Sequence, residues 1–165
     1  DFLESYEHTQ TLVYLPDVAR LEWLYHRVFH AAPHAPLDLT RLALLAPDDY
    51  AALRFTLHPA AALLRSAYPI LRIWQVNQPD FPGDPSVDLG EGGDALLFTR
   101  EDFVVKIERI TAAHYALLSA LHGGVPLSLA VDAAVAADEK FDLQAALARY
   151  VSAGIIVDFA APGAA

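Results

Sequence analysis

The sequence predicts an α+β fold: a mostly helical N-terminal half followed by a winged-helix-like β-β-α-α-α-β module. Three observations carry this. Apolar residues between Pro16 and Pro33 recur at helical spacing. Two strand-like runs, "DALLFT" and "FVVKIER", precede three helical segments, two of them capped, and a closing "IIVDF". Between the halves lies "NQPDFPGDPSVDLGEGG", with three prolines, four glycines and little periodicity. The chain therefore divides into a mainly helical region 1–78, an acidic Pro/Gly linker 79–93, a winged-helix-like module 94–160 and a tail 161–165.

In the first half, Pro16 and Asp17 open a helix that Pro33 closes, because proline fits a helix's first turn and not its interior. Steps of ~100° place Val18, Leu21, Leu24, Tyr25, Val28 and Phe29 on one stripe, the expected core face. Trp23 falls roughly opposite its centre; Glu22, His26 and His30 also lie off it. A second helix is expected over 39–45, after Asp38. "LRFTLHP" alternates Leu53, Phe55 and Leu57, which predicts a short strand. "YPILRIWQVN" predicts a helix with Pro69 near its first turn, burying Ile70, Ile73 and part of Trp74.

In the second half the two strands meet at a polar turn, Arg100 to Asp102. Thr111 caps a helix that runs to His122 and is stopped by Gly123 and Gly124. An Ala-rich helix follows over 127–137. Asp142 caps a third, whose Leu143, Ala146, Leu147, Tyr150 and Val151 fall at i, i+3, i+4, i+7 and i+8. Gly154 ends it before the last strand.

Composition narrows the chemistry. At 165 residues and 55% apolar content, the chain is long and apolar enough to fold around a core. A net charge of −10 opposes sequence-blind binding to phosphate backbones, which needs a positive field. Without Cys there are no disulfides, thiolate metal sites or Cys nucleophiles. No apolar run approaches the ~18 residues of a membrane span, and no basic-plus-apolar leader is expected. The cytoplasm is the expected setting. Met is absent even at position 1, so the chain is expected to be part of a longer protein.

Few residue patterns suggest catalysis. Glu22, His26 and His30 at i, i+4 and i+8 have metal-ligand spacing on one helical face. They lack the acid that follows the first His in H-E-x-x-H, so the expectation is no metal; a polar flank with Glu22 bonded to His26 explains them as well. A docking face is the third option, since Trp beside His and Arg is the composition of interface anchors. Ser66 and Ser119 sit in no G-x-S-x-G elbow. "GEGGD" precedes a strand and not a helix, which suits a turn better than a phosphate cradle. Asp80, Asp84, Asp88 and Glu91 lack the glycine-bearing loop of an EF-hand.

A winged-helix pattern invites a DNA reading, with its third helix in the major groove. Here that helix offers Arg149 as its only cation, and from Asp94 onward nine acids face five bases. Nucleic acid is therefore an unlikely partner for this segment. The same scaffold can instead hold an extended peptide along an edge strand. The side chains expected to border such a groove are Leu143, Leu147, Tyr150, Ile155, Ile156 and Val157. Core packing is the competing explanation for each of them.

"ARLEWLYHRVFHA", "LRFTLHPAAALLRSAYPILRIWQ" and "FDLQAALARYVSAGIIVDF" resemble the HvfC/BufC family of peptide-modification chaperones, once described as DNA-binding proteins. The resemblance runs from Leu15 to Phe159; the first two motifs are specific and the third is generic. It implies a C-terminal part, since the family carries a further N-terminal helical domain of roughly a hundred residues. It also implies a non-catalytic subunit without a cofactor of its own. Such subunits partner a TIM-barrel enzyme with a multinuclear iron site, and together they modify cysteines of a ribosomally made precursor peptide linked to copper handling. Partner-binding positions that match are Trp23, His26, Arg27 and His30, then His58, Arg65, Tyr68 and Trp74. Tyr68 and Pro69 could equally set a turn, and Arg65 could pair with Glu22. Ala67 departs from the pattern, standing where proline is expected.

The expectation is thus an accessory subunit that binds a precursor peptide and its iron enzyme. Region 1–78 would dock the partner and region 94–160 would recognise the peptide. Trp23 should be exposed or half-exposed, and the third helix and last strand of the module should border an open groove. The alternative is a DNA-binding transcriptional regulator whose main contacts lie in a further N-terminal domain.

Overall fold

The structure is a computed structural model describing residues 12–79 and 81–161. Residues 1–11 of the first region, Asp80 of the acidic group and residues 162–165 of the tail lie outside the described residues. The class is α+β, as expected.

The first helix, α1 (Leu15–Phe29), starts with proline in its first turn and carries Asp17 there, where a negative charge suits the helix dipole. Leu21 and Val28 are fully buried, while Val18, Leu24 and Tyr25 pack half-buried around them. Phe29, expected in the core, is 40% exposed because it sits on the edge of the stripe in the last turn. Helix α2 (Leu39–Ala43) is shorter than expected and is capped by Asp38, whose carboxylate accepts the Thr40 amide at 2.9 Å. Strands β1 (Arg54–Leu57) and β2 (Ala62–Arg65) follow, then α3 (Ile70–Val76), which buries Ile70 and Ile73 and half-buries Trp74.

After the Pro/Gly segment come β3 (Ala95–Glu101), β4 (Val104–Arg109), α4 (Ala112–His122), α5 (Leu127–Ala137), α6 (Leu143–Ser152) and β5 (Ile156–Ala160). Thr111 and Asp142 cap α4 and α6 through side-chain oxygens, and Gly124 and Gly154 take the positive φ that ends each run. The turn between β3 and β4 differs from expectation. It consists of Asp102 and Phe103, both at positive φ, so Phe103 lies at the tip and not in the strand.

Two sheets form. β2, β3 and β4 make a three-stranded antiparallel sheet in that order, and β1 pairs antiparallel with β5. Strands from before the 79–93 segment therefore pair with strands from after it. That segment links neighbouring parts of one packed body; it does not separate two cores.

β3 is the wall they share. Leu96, Leu97 and Phe98 are all essentially inaccessible, as in a strand covered on both faces. Leu96 and Phe98 join the cluster made with α1 and α3, and Leu97 faces the cluster built by α4, α5, α6, β1 and β5. Fully burying each such side chain contributes about 1.5–3 kcal/mol.

Candidate functional site

On the outer face of α1, Trp23 is 64% exposed, and its ring centroid lies 6.1 Å from that of His26. His26 lies 4.4 Å from His30, whose ring meets Phe29 edge-on at 5.0 Å. The helical period thus aligns Trp23, His26 and His30 into one exposed ring strip, flanked by exposed Arg27. No hydrogen bond joins Glu22 to His26 among the described residues. Nor does any group of three or more His, Cys, Asp or Glu there converge with metal-holding geometry.

The remaining partner-site candidates are not gathered onto this strip. Trp74 packs on Tyr25 at 5.5 Å, within the α1–α3 contact, and Tyr68 is half-buried against the same cluster. The Tyr68 amide donates to Ser66 Oγ and its carbonyl accepts the Ile70 amide, so Tyr68 and Pro69 do set the turn into α3. Arg65 does not reach Glu22; its guanidinium lies 5.9 Å from the Tyr115 ring centroid.

The groove expected along α6 and β5 needs correction. Tyr150, Ile155, Ile156 and Val157 are buried, and Leu143 and Leu147 are half-buried against the same apolar cluster. An amphipathic stripe beside an apolar strand here is the inside of the fold. β5 has β1 as its only strand partner among the described residues, and side chains already serve part of its backbone: the Phe159 amide donates to Asp158 and its carbonyl accepts from Arg41. Tyr150 donates or accepts a 2.8 Å hydrogen bond with His114 Nδ1. Burial pushes the Tyr150 hydroxyl up to about 12, and burial followed by the nearby Arg149 charge holds the His114 imidazole below its ordinary value.

His58 occupies a separate place. With His34 and Arg100 it lines a cavity of about 210 Å³ beside Ile155 and Val157. The His34 and His58 ring centroids are 6.3 Å apart, nearly perpendicular. Burial, then the charges of His34 and Arg100, lower the affinity of His58 for a proton. Sequence reading missed His34 and Arg100 as its neighbours, because only the tertiary path of the chain unites positions 34, 58 and 100.

Comparison with protein-family models, with curated proteins and with solved structures finds no match to this chain.

Proposed function

We propose that this protein is a non-catalytic accessory subunit, binding a ribosomally made precursor peptide and the TIM-barrel iron enzyme that modifies it. The observation that carries the reading is the Trp23–His26–His30 strip. An indole held 64% in water, opposite a well-buried helix face, costs the fold nothing to lose and suits an interface anchor. The family resemblance supplies the kind of partner, and the iron belongs to that partner.

The winged-helix-like description of 94–160 rests on the element order after Asp94. Peptide recognition is assigned to the edge of β5 that no strand covers among the described residues, where a guest would meet Arg41 on Phe159, since the nearby side chains are spent on the core. Arg149, the sole cation of α6, is tied to Glu108, which supports a polypeptide guest over a nucleic-acid one. A cytoplasmic setting is part of the same proposal.

The test is co-elution and calorimetry of this chain with a barrel-type iron enzyme and a short Cys-bearing precursor encoded beside it. Trp23→Ala should weaken enzyme binding by about 2 kcal/mol, as an anchor does, while changing the fold's stability by less than about 0.5 kcal/mol. Binding to neither partner would remove the proposal.

A further inference from the structure

We propose that the cavity lined by His34, His58 and Arg100 is a binding site for an amino-acid-sized carboxylate. The assignment stands on this cavity alone and does not require the accessory-subunit reading.

The charge pattern selects an anion. No Asp or Glu lines the cavity, and Arg100 beside the two imidazoles opposes a metal cation. Arg100 is held rigidly: its Nη1 donates to the Phe29 and Ala31 carbonyls at 2.6 and 2.7 Å, closing the C-terminal end of α1. All of its hydrogen bonds among the described residues leave from Nη1, so Nε and Nη2 have no protein partner there.

The tautomers follow from the backbone. His58 Nδ1 accepts the Ala60 amide at 2.8 Å, so its ring proton sits on Nε2, a ready donor. His34 Nδ1 lies 2.8 Å from the Ala35 carbonyl, which can only accept, so that nitrogen carries a hydrogen. A proton added at His34 Nε2 would make it a second donor towards the guest. The two ring centroids lie 6.3 Å apart with the rings nearly perpendicular, so both imidazoles border the same small space.

Size and walls narrow the class further. About 210 Å³ holds roughly seven waters, below the ~300–1,000 Å³ of larger organic ligand sites. Pro36, Ala60, Ile155 and Val157 supply an apolar wall, which suits a short aliphatic body behind the carboxylate. The adjoining hollow shares Thr99, Arg100, Ala153 and Ile155 but offers no comparable donors. Its Lys106 is bound to Glu101 and its Arg149 to Glu108.

Such a carboxylate could be the C-terminus of a peptide or a free short acid. The test follows the His34 and His58 ring resonances of the isotope-labelled chain at about pH 6, where imidazoles titrate. The probes are N-acetylvaline, its amide, isobutyrate and inorganic phosphate. N-acetylvaline should shift both rings saturably, and the amide should not. A clear preference for N-acetylvaline over isobutyrate identifies a peptide C-terminus; equal binding identifies a free acid, and either supports the site. His34→Ala, at an exposed position, should weaken N-acetylvaline by about tenfold. No saturable shift at millimolar probe, or phosphate and the amide acting as well as N-acetylvaline, would overturn the proposal.

Discussion

On its α1 side β3 is fixed through a buried charge, whereas on its α4–α6 side it is fixed by apolar packing spread over many residues. At the first, the Asp94 side chain is 1% exposed and accepts the Leu71 amide at 2.8 Å, capping α3 from a distant strand, while Arg109 meets its other oxygen. The Asp94 and Ser66 backbones exchange hydrogen bonds beside it, and Ser66 Oγ donates to Asp17 of α1 at 2.6 Å. At the second, Leu117, Leu118, Leu121, Ala130 and Ala134 share one apolar cluster with Leu97, and polar contacts such as Tyr150 with His114 and Tyr50 with the Leu42 carbonyl are only half-buried within it. A polar clamp concentrates stability in a few atoms; an apolar cluster distributes it. The two sides should therefore fail differently.

The largest effect is expected where the clamp's backbone leaves no room. A Cβ on Gly93 would stand 2.1 Å from the Ser66 carbonyl oxygen, so Gly93→Ala must push β2 and β3 apart. Denaturant unfolding should show a loss of about 3 kcal/mol or more. Next comes Asp94→Ala, which strands the Leu71 amide and leaves Arg109 alone, for a loss of about 2–4 kcal/mol. If either costs no more than a conservative trimming of the apolar side, the contrast is wrong.

On the other side, Tyr150→Phe keeps the packing and removes one hydroxyl, so urea unfolding should register only about 1 kcal/mol. The same side carries a pH signature. His114 and His58 have folded-state proton affinities below the ordinary value of 6.5, chiefly through burial. The unfolded chain therefore takes up protons first as the pH falls. Stability should be complete above about pH 6.5 and decline below it, until the folded imidazoles also protonate. A His114→Gln variant with a flatter pH profile would place part of that slope at the Tyr150 contact; an unchanged profile would remove it from there.

The smallest effect lies outside both clusters. Phe103 is 79% exposed with φ at 64°, a left-handed conformation that costs a bulky residue roughly 1–2 kcal/mol. Phe103→Gly should leave thermal stability unchanged or raise it slightly. A clear loss would mean that the ring is held by contacts of its own.

Much of the fold was legible because its signals are local. The α1 stripe, the side-chain caps at Asp38, Thr111 and Asp142, and the stop at Gly154 depend on residues within a turn of one another. β2 was missed because "ALLR" is short and continues the alanine run that starts at Ala60; its register is set by Leu97 and Phe98, far along the chain. The α6–β5 groove failed for a related reason, since periodicity identifies an apolar face without saying what will cover it. Trp23 was legible because it opposed its own helix's stripe. The His34–His58–Arg100 cavity was not, because no spacing in a linear chain encodes it.

The β1–β5 ladder pairs Arg54 with Ala160 and Phe55 with Phe159, so an early strand waits for nearly the last described one. During synthesis β1 must emerge from the ribosome and remain without its mate until every element from β2 to α6 has been made. Contacts of such long sequence separation make for slow folding and a vulnerable interval. Premature stop codons just upstream of β5 should consequently yield aggregates and not a shortened native protein.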